Sequence, residues 1–272
     1  MAICESDDYR QLDEALLSLY DYQVLKPHEI IVVKDGPVDA QIASVLNSWN
    51  NKFPKIIKIL SLDRRSGLAK ALNFGLKSCS GNYIARMDPD DICHPARFQK
   101  QADYLRDNPD VSVCGSYVEL FSNNLKESLG IRLVPTFNDQ IMKFAKWRSP
   151  MNHPSVMYRK SIFDKIQGYP VNAKAQDYAL WAKLILSGFK FGNIPEALVK
   201  MRLGLKPFQK RGLKQFIDEL KILRYQRSIG FLNSYEYLRN VLVRLIARSI
   251  PEKLKQVLYG YSNKKLTFGL RA

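Results

Sequence analysis

Three carboxylates stand within four residues at Asp88-Pro89-Asp90-Asp91. Held close they repel one another, and a hard divalent cation relieves that repulsion with oxygen ligands while keeping some of its waters. A solvated acidic turn capping the next helix is the alternative for so short a motif. Asp35 follows the apolar run Ile30–Val33 and precedes Gly36-Pro37. It suits a turn or a helix N-cap, the more common role, and it could also accept a hydrogen bond from a base N–H. Arg64-Arg65-Ser66-Gly67-Leu68-Ala69-Lys70 runs into a helical stretch carrying Asn73 and Gly75. Cations beside a helix N-terminus fit a diphosphate, and an ordinary basic surface loop fits as well. Gln176-Asp177-Tyr178 opens an amphipathic stretch, where Asp177 either caps a helix or serves as a general base in a pocket. In Asn152-His153-Pro154-Ser155, the histidine is either structural or part of a site.

Spacing sets the elements that must position these groups. Leu12, Ala15, Leu16 and Leu19 recur at helical intervals after the polar Ser6-Asp7-Asp8. Glu29–Val33 reads as a strand that ends in a turn, and Ile56–Leu60 as another. Between them Ile42, Val45, Leu46 and Trp49 mark a helix. A further helix is predicted from Leu68 to Lys77, and a strand over Asn82–Met87. Pro95 is placed to open the helix holding Phe98 and Leu105. Alternation this tight implies βαβ units and a largely parallel sheet, with ligands at the carboxyl ends of its strands. Asp35 and Asp88 lie at such ends. Met1–Cys4 reads as a first, central strand that is short of leading residues: either a start lies upstream or the sheet centre is thin. After Val111–Leu120 the pattern is less regular until Gln176–Leu186, where Tyr178, Trp181, Leu184 and Ile185 form an apolar helical side.

The chain has 272 residues, 46% of them hydrophobic and 25% charged, which suits a packed core rather than disorder. Its formal charge of +16 is unevenly spread. Residues 1–199 hold 25 Lys and Arg against 22 Asp and Glu; residues 200–272 hold 17 against 4. The four cysteines lack C-x-x-C spacing and only three histidines are present, which argues against a zinc module and suits a reducing compartment. No apolar run reaches the ~20 residues of a membrane span, and no secretory pattern opens the chain. The expectation is a cytoplasmic protein.

In order and spacing these motifs resemble family 2 glycosyltransferases of the GT-A fold. The matching stretches are Glu29–Pro37, Ser66–Gly75, Ile84–Ile92, His153–Arg159 and Gln176–Trp181. The resemblance is nearest to bacterial enzymes that build O-antigen, capsule or amylovoran-type exopolysaccharide units on a lipid carrier. It implies an α/β, Rossmann-like, mostly parallel central sheet flanked by helices, in a catalytic domain over 1–205. Residues 1–120 would form the nucleotide-sugar half and 121–205 the acceptor half, followed by a basic amphipathic helical tail over 206–272. By the same resemblance Asp35 would bind the uracil of a UDP-sugar, with Arg65, Lys70, Arg86 and Asp88 completing the nucleotide-sugar group. Asp88, Asp90 and Asp91 would hold Mn²⁺ or Mg²⁺, Asp177 would be the base, and His153 and Gln176 would meet the acceptor. One displacement would invert the anomeric centre, giving a β-linkage from an α-linked donor. The implied reaction moves glucose or galactose to a GlcNAc- or GalNAc-diphosphate-undecaprenol-type acceptor. Gln176 stands where the family usually has Glu, and Cys4 where an aromatic often helps hold uracil. Q-x-x-R-W is absent, so addition of a single sugar is expected.

The tail speaks independently. Leu238, Val241, Leu242, Leu245 and Ile246 share a helical face flanked by Arg239, Arg244 and Arg248. That is the pattern of an interfacial helix on anionic lipids, here the inner face of a bacterial plasma membrane; a helix packed on the catalytic domain is the alternative. Two other functions fit the sequence less well. A sugar nucleotidyltransferase calls for a Gly-rich loop by the first strand, but the residues after Ile3 are acidic and lack glycine. A nucleic-acid binder calls for a recognisable module or a basic stripe with interleaved aromatics, and neither is found, so no nucleic-acid partner is expected.

Overall fold

The computed structural model describes residues 1–123, 125–171, 175–203 and 213–249. The chain divides into two compact units, residues 1–207 and 208–272.

In the first unit, β1 (Ala2–Ile3), β2 (Ile30–Asp35) and β3 (Ile57–Leu62) form a parallel sheet in that order. Helices α1 (Tyr9–Leu19), α2 (Ala40–Lys52) and α3 (Leu68–Ser78) alternate with the strands. β2 is buried on both faces, which is why it reads as an unbroken β-branched run. Ile30 and Val32 join Leu12, Leu16, Ile42 and Leu46 in one cluster, while Ile31 and Val33 join Ala71 in another. Asp8 caps α1 by accepting from Arg10 N–H at 2.8 Å, and Asp39 caps α2 by accepting from Ile42 N–H at 2.7 Å.

A second, mixed sheet follows. It is built from β4 (Tyr83–Ala85), β5 (Ile92–Cys93), β6 (Val111–Phe121), β7 (Ser128–Arg132), β8 (Met157–Arg159) and β9 (Lys190–Arg202). Their order is β4-β8-β6-β9-β5, with β7 paired to β6. β6 and β9 run parallel, whereas β4–β8, β6–β8, β6–β7 and β5–β9 are antiparallel. Helices α4 (Arg97–Asp107), α5 (Asn138–Ala145), α6 (Ile162–Lys165) and α7 (Gln176–Leu186) accompany it. The α/β class with a parallel sheet and flanking helices is thus present, and the antiparallel pairs are concentrated after residue 82. The helix expected to open at Pro95 opens at Arg97 instead, because His94 Nδ1 accepts from Ala96 N–H and keeps those residues in a turn.

The second unit contains α8 (Leu213–Ser228) and α9 (Ser234–Ser249). A reciprocal cap starts α9: Glu236 N–H donates to Asn233 Oδ1 at 2.8 Å, and Asn233 N–H to Glu236 Oε2 at 2.9 Å. On α9, Tyr235, Leu238, Leu242 and Ile246 are exposed. The start of the tail at 206 and its last residues, 250–272, lie outside the described residues, as does the side chain of Arg248. Among the described residues no helix is long and apolar enough to cross a membrane.

Candidate active site

The acidic motif occupies the link between β4 and β5. One ligand-capable oxygen from each of Asp88, Asp90 and Asp91 lies within 4.8 Å of the others. Burial and the neighbouring Asp88 charge raise the Asp90 carboxyl above its usual range. Asp91 is pushed up to about 8, by burial first and then by the charges of Asp88 and Asp90. Its Oδ1 accepts from Arg202 N–H at 3.1 Å, and its buried Oδ2 has no hydrogen-bond partner. An all-oxygen donor set, mutual repulsion and one orphaned buried carboxylate oxygen fit a hard divalent cation held by Asp88, Asp90 and Asp91.

Buried arginines hold this link in place. Arg86 grips Asp88 with both terminal nitrogens. Arg97 is fully buried, and its guanidinium donates to Arg86 O at 2.7 Å and Val156 O at 3.3 Å. Arg202, at the end of β9, donates to Asp90 O at 2.6 Å and pairs with Glu14. Those from Arg86 and Arg202 are charge-assisted bonds to the acidic turn, the strong kind. Arg97 and Arg202 were not legible in sequence, where each reads as an ordinary surface cation.

Around Arg86 the remaining groups gather. His153 Nε2 and Tyr169 Oη share a hydrogen bond of 2.9 Å, and the Tyr169 and Tyr158 hydroxyls share one of 2.7 Å. Burial, then the Arg86 charge, drives His153 well below its usual pKa, so its imidazole is neutral. Asn73 on α3 clamps Tyr169 at the backbone, accepting from its N–H at 2.7 Å and donating to its carbonyl at 2.8 Å. The signal for Tyr169 in sequence is the Gly168-Tyr169-Pro170 turn. Gly168 has φ +72°, and a Cβ there would stand 2.3 Å from Asn73 Oδ1, so both space and conformation require glycine. Asp177 is in the first turn of α7, after Ala175 at φ 55°. Burial raises its carboxyl, while the Tyr178 N–H and the Arg86 charge pull it down. Gln176, beside it, is half-buried.

The nucleotide-side candidates sit at the carboxyl end of β2, in the turn after β3 and in the first turn of α3. Asp35 is buried and spends its carboxylate on α3: Ser66 N–H donates at 2.6 Å and Gly67 N–H at 2.9 Å. Gly67, the N-cap of α3, has no side chain, so a residue 32 positions upstream supplies the cap. Gly36 permits this docking, since a Cβ there would meet Arg65 N at 2.7 Å. Arg65 and Lys70 are exposed, and Arg65 reaches Cys4 Sγ at 4.0 Å. Asp7 links the two regions. It accepts from Cys4 N–H at 2.7 Å, and its carboxyl is raised by burial and by Asp88 while Arg65 lowers it.

The structure therefore brings Arg86, Asp88, Asp90, Asp91, His153 and Asp177 into one electrostatic neighbourhood, with Arg65 coupled to it through Asp7 and Asp35 bonded to Ser66 and Gly67 beside Arg65. A parallel three-stranded sheet followed by a mixed sheet, with an acidic link between β4 and β5 of the latter, is the architecture of a GT-A glycosyltransferase.

The comparisons agree. A model of the Glycosyl transferase family 2 matches residues 5–167, and the chain belongs to that family. It is 35% identical over 257 residues to the amylovoran biosynthesis glycosyltransferase AmsE of Erwinia amylovora, covering 93% of this chain and 94% of that one. It is also 35% identical over 260 residues to a UDP-Gal:alpha-D-GlcNAc-diphosphoundecaprenol beta-1,3-galactosyltransferase of Escherichia coli, covering 95% and 93%. Among solved structures it resembles S. aureus TarS 1-349 in complex with UDP, with TM-score 0.61 and 18% identity over 90% of this chain and 70% of that one. This last likeness is one of fold.

Proposed function

We propose that the chain is an inverting, divalent-metal-dependent hexosyltransferase. It moves glucose or galactose from a UDP-sugar to a GlcNAc- or GalNAc-diphosphate-undecaprenol-type acceptor, forming a β-linkage (β-1,3) during O-antigen or exopolysaccharide repeat-unit assembly. The observation that carries the reading is the acidic link, with Asp91 Oδ2 buried and unpartnered beside Asp88 and Asp90. The two 35%-identical relatives, one of them named for this donor and acceptor class, support the substrate assignment.

Within this reading residues 1–120 bind the donor and 121–205 the acceptor. Asp35, Arg65, Lys70, Arg86 and Asp88 take the nucleotide sugar; Asp88, Asp90 and Asp91 hold Mn²⁺ or Mg²⁺. Positive charge against the departing diphosphate is what such a cation supplies when bound. Asp177 accepts the proton of the acceptor hydroxyl as that oxygen attacks the anomeric carbon, and UDP leaves from the opposite face. Its raised pKa makes it a better base than a solvated carboxylate, provided the pH keeps it ionised. His153, neutral and tied to Tyr169, and Gln176 orient the acceptor. The exposed apolar residues of α9 and the basic tail hold the enzyme on the cytoplasmic face of the membrane, where its lipid-linked acceptor resides.

The test is UDP release from a panel of UDP-sugars, with Mn²⁺ or EDTA, on synthetic GlcNAc- and GalNAc-diphosphate-lipids. Metal-dependent release with one donor is expected. Silence across the panel together with no UDP binding would sink the reading.

A further inference from the structure

Two arginines near the acidic link carry charge that the reaction described above does not use. Arg132 ends β7 and Arg148 follows α5, and both are exposed. Among the described residues neither makes an ion pair. Arg132 Nη1 meets Met201 Sδ at 3.9 Å, and the Arg148 guanidinium lies over the Phe144 ring, 5.7 Å from its centroid.

Backbone contacts fix where the pair stands. Asn152 is buried and divides its amide between Ser116 O of β6 at 2.9 Å and Arg132 O at 3.3 Å. That ties the end of β7 to the turn carrying His153. Arg148 N–H donates to Phe144 O at 3.1 Å, and from Arg148 the chain runs through Pro150 and Asn152 into the same turn. Met201, which the Arg132 head touches, precedes Arg202, whose N–H holds Asp91. Arg132 is thus anchored to the His153 turn and reaches toward the strand that steadies the acidic link.

The two cations also feel one another. Although Arg132 is exposed overall, protein packed against its head, and then the Arg148 charge, lowers its pKa from the usual arginine value, while Asp91 acts the other way. Like charges in such range repel, and a multiply charged anion between them relieves the repulsion. Guanidinium groups present forked donors that match phosphate oxygens. The donor's diphosphate already has Arg65, Lys70, Arg86 and the acidic cluster assigned to it. An acceptor of the proposed class brings a second diphosphate, one sugar ring away from the hydroxyl that attacks, and Arg132 and Arg148 both belong to the acceptor half.

We propose that Arg132 and Arg148 bind the diphosphate of the lipid-linked acceptor, and so select a sugar carried on diphosphate over the same sugar on a neutral aglycone. The inference rests on the reaction proposed above and adds a recognition element to it.

The test compares wild type, Arg132→Gln, Arg148→Gln and the double variant on two acceptors of equal alkyl length, with Mn²⁺ and the active UDP-sugar. One is the better of the GlcNAc- and GalNAc-diphosphate-alkyl compounds, and the other is the neutral alkyl glycoside of the same sugar. Wild type is expected to favour the diphosphate. Each single substitution is expected to raise the KM of that acceptor about tenfold, with donor KM unchanged, and the double variant to treat both acceptors nearly alike. Calorimetric binding of the diphosphate acceptor to protein holding UDP and Mn²⁺ repeats the comparison without turnover. A rise in donor KM with acceptor KM unchanged would assign the pair to UDP and overturn the proposal. So would a preference for diphosphate that survives in the double variant, or a wild type that uses the neutral glycoside equally well; both leave the reaction standing. A wild type that transfers to neither acceptor and binds no UDP defeats the reaction itself, and this inference with it.

Discussion

Arg86 holds both carboxylate oxygens of Asp88, two residues further along the chain. The guanidinium is buried, at 6% exposure, while the carboxylate keeps 30%. One fixed cation thus offsets three clustered acids. Replacing it in Arg86→Met removes a competitor for the cluster, so calorimetric Mn²⁺ affinity is expected to rise several-fold. On the proposed reaction, turnover is expected to fall about 100-fold, because a positive group beside the departing diphosphate would be lost. Unchanged Mn²⁺ affinity would show that Arg86 does not act on the cluster.

Asp177 must be ionised to take a proton, and its pKa is raised, chiefly by burial. kcat/KM is therefore expected to fall as pH drops through that raised value, above the ~3.9 of an ordinary Asp. Above it the profile is flat until another group titrates. Asp177→Asn is expected to lose at least about 100-fold in rate together with this acid limb. A limb that survives with the same midpoint in Asp177→Asn would assign it to another residue.

Tyr169 satisfies two partners at once, His153 and Tyr158. Tyr169→Phe leaves both short of a hydrogen bond, at an expected cost of ~1–3 kcal/mol in denaturant unfolding. His153 also carries a pH signature, since its folded pKa lies well below the unfolded 6.5. The neutral form's contribution is complete above 6.5 and is lost as pH falls toward the folded value, at up to ~1.4 kcal/mol per unit. His153→Gln is expected to flatten that slope. A slope identical to wild type would remove His153 from the account.

The parts of the fold legible in sequence were those set by local spacing. Ile30–Val33 and the helical rows of α1, α2 and α3 stand close to where periodicity predicts them; Asp35 is the last residue of its strand, and Asp88 falls just past the end of β4. What escaped reading depends on contacts distant in the chain. β6 pairs with β9 across some 80 residues of sequence, and β4 and β8 have three residues each, too few for periodicity to register. Arg97 lies on a helix of polar composition yet is fully buried, because backbone carbonyls from Arg86 and Val156 converge on it. Asp35 fulfils the capping alternative for a helix that starts beyond the next strand, which no local rule reveals.

Leu238, Leu242 and Ile246 are 64%, 56% and 56% exposed along α9. If lipid covers it, the full chain is expected to sediment with vesicles rich in phosphatidylglycerol. Leu242→Glu is expected to weaken that binding about tenfold or more. Undiminished binding by the variant would place the lipid contact elsewhere.

Metal-assisted sugar transfer with Asp177 as base is the reaction we propose. Its most direct measurement is UDP release from the active donor by wild type, Asp90→Asn and Asp177→Asn, each with Mn²⁺ and with EDTA, alongside the product's anomeric configuration by NMR. A β-linked product is expected from wild type with Mn²⁺ only, with loss of turnover in both variants. UDP binding is expected to persist in Asp177→Asn and to lose its Mn²⁺ dependence in Asp90→Asn. Release that ignores EDTA, or an Asp177→Asn enzyme as fast as wild type, would contradict it.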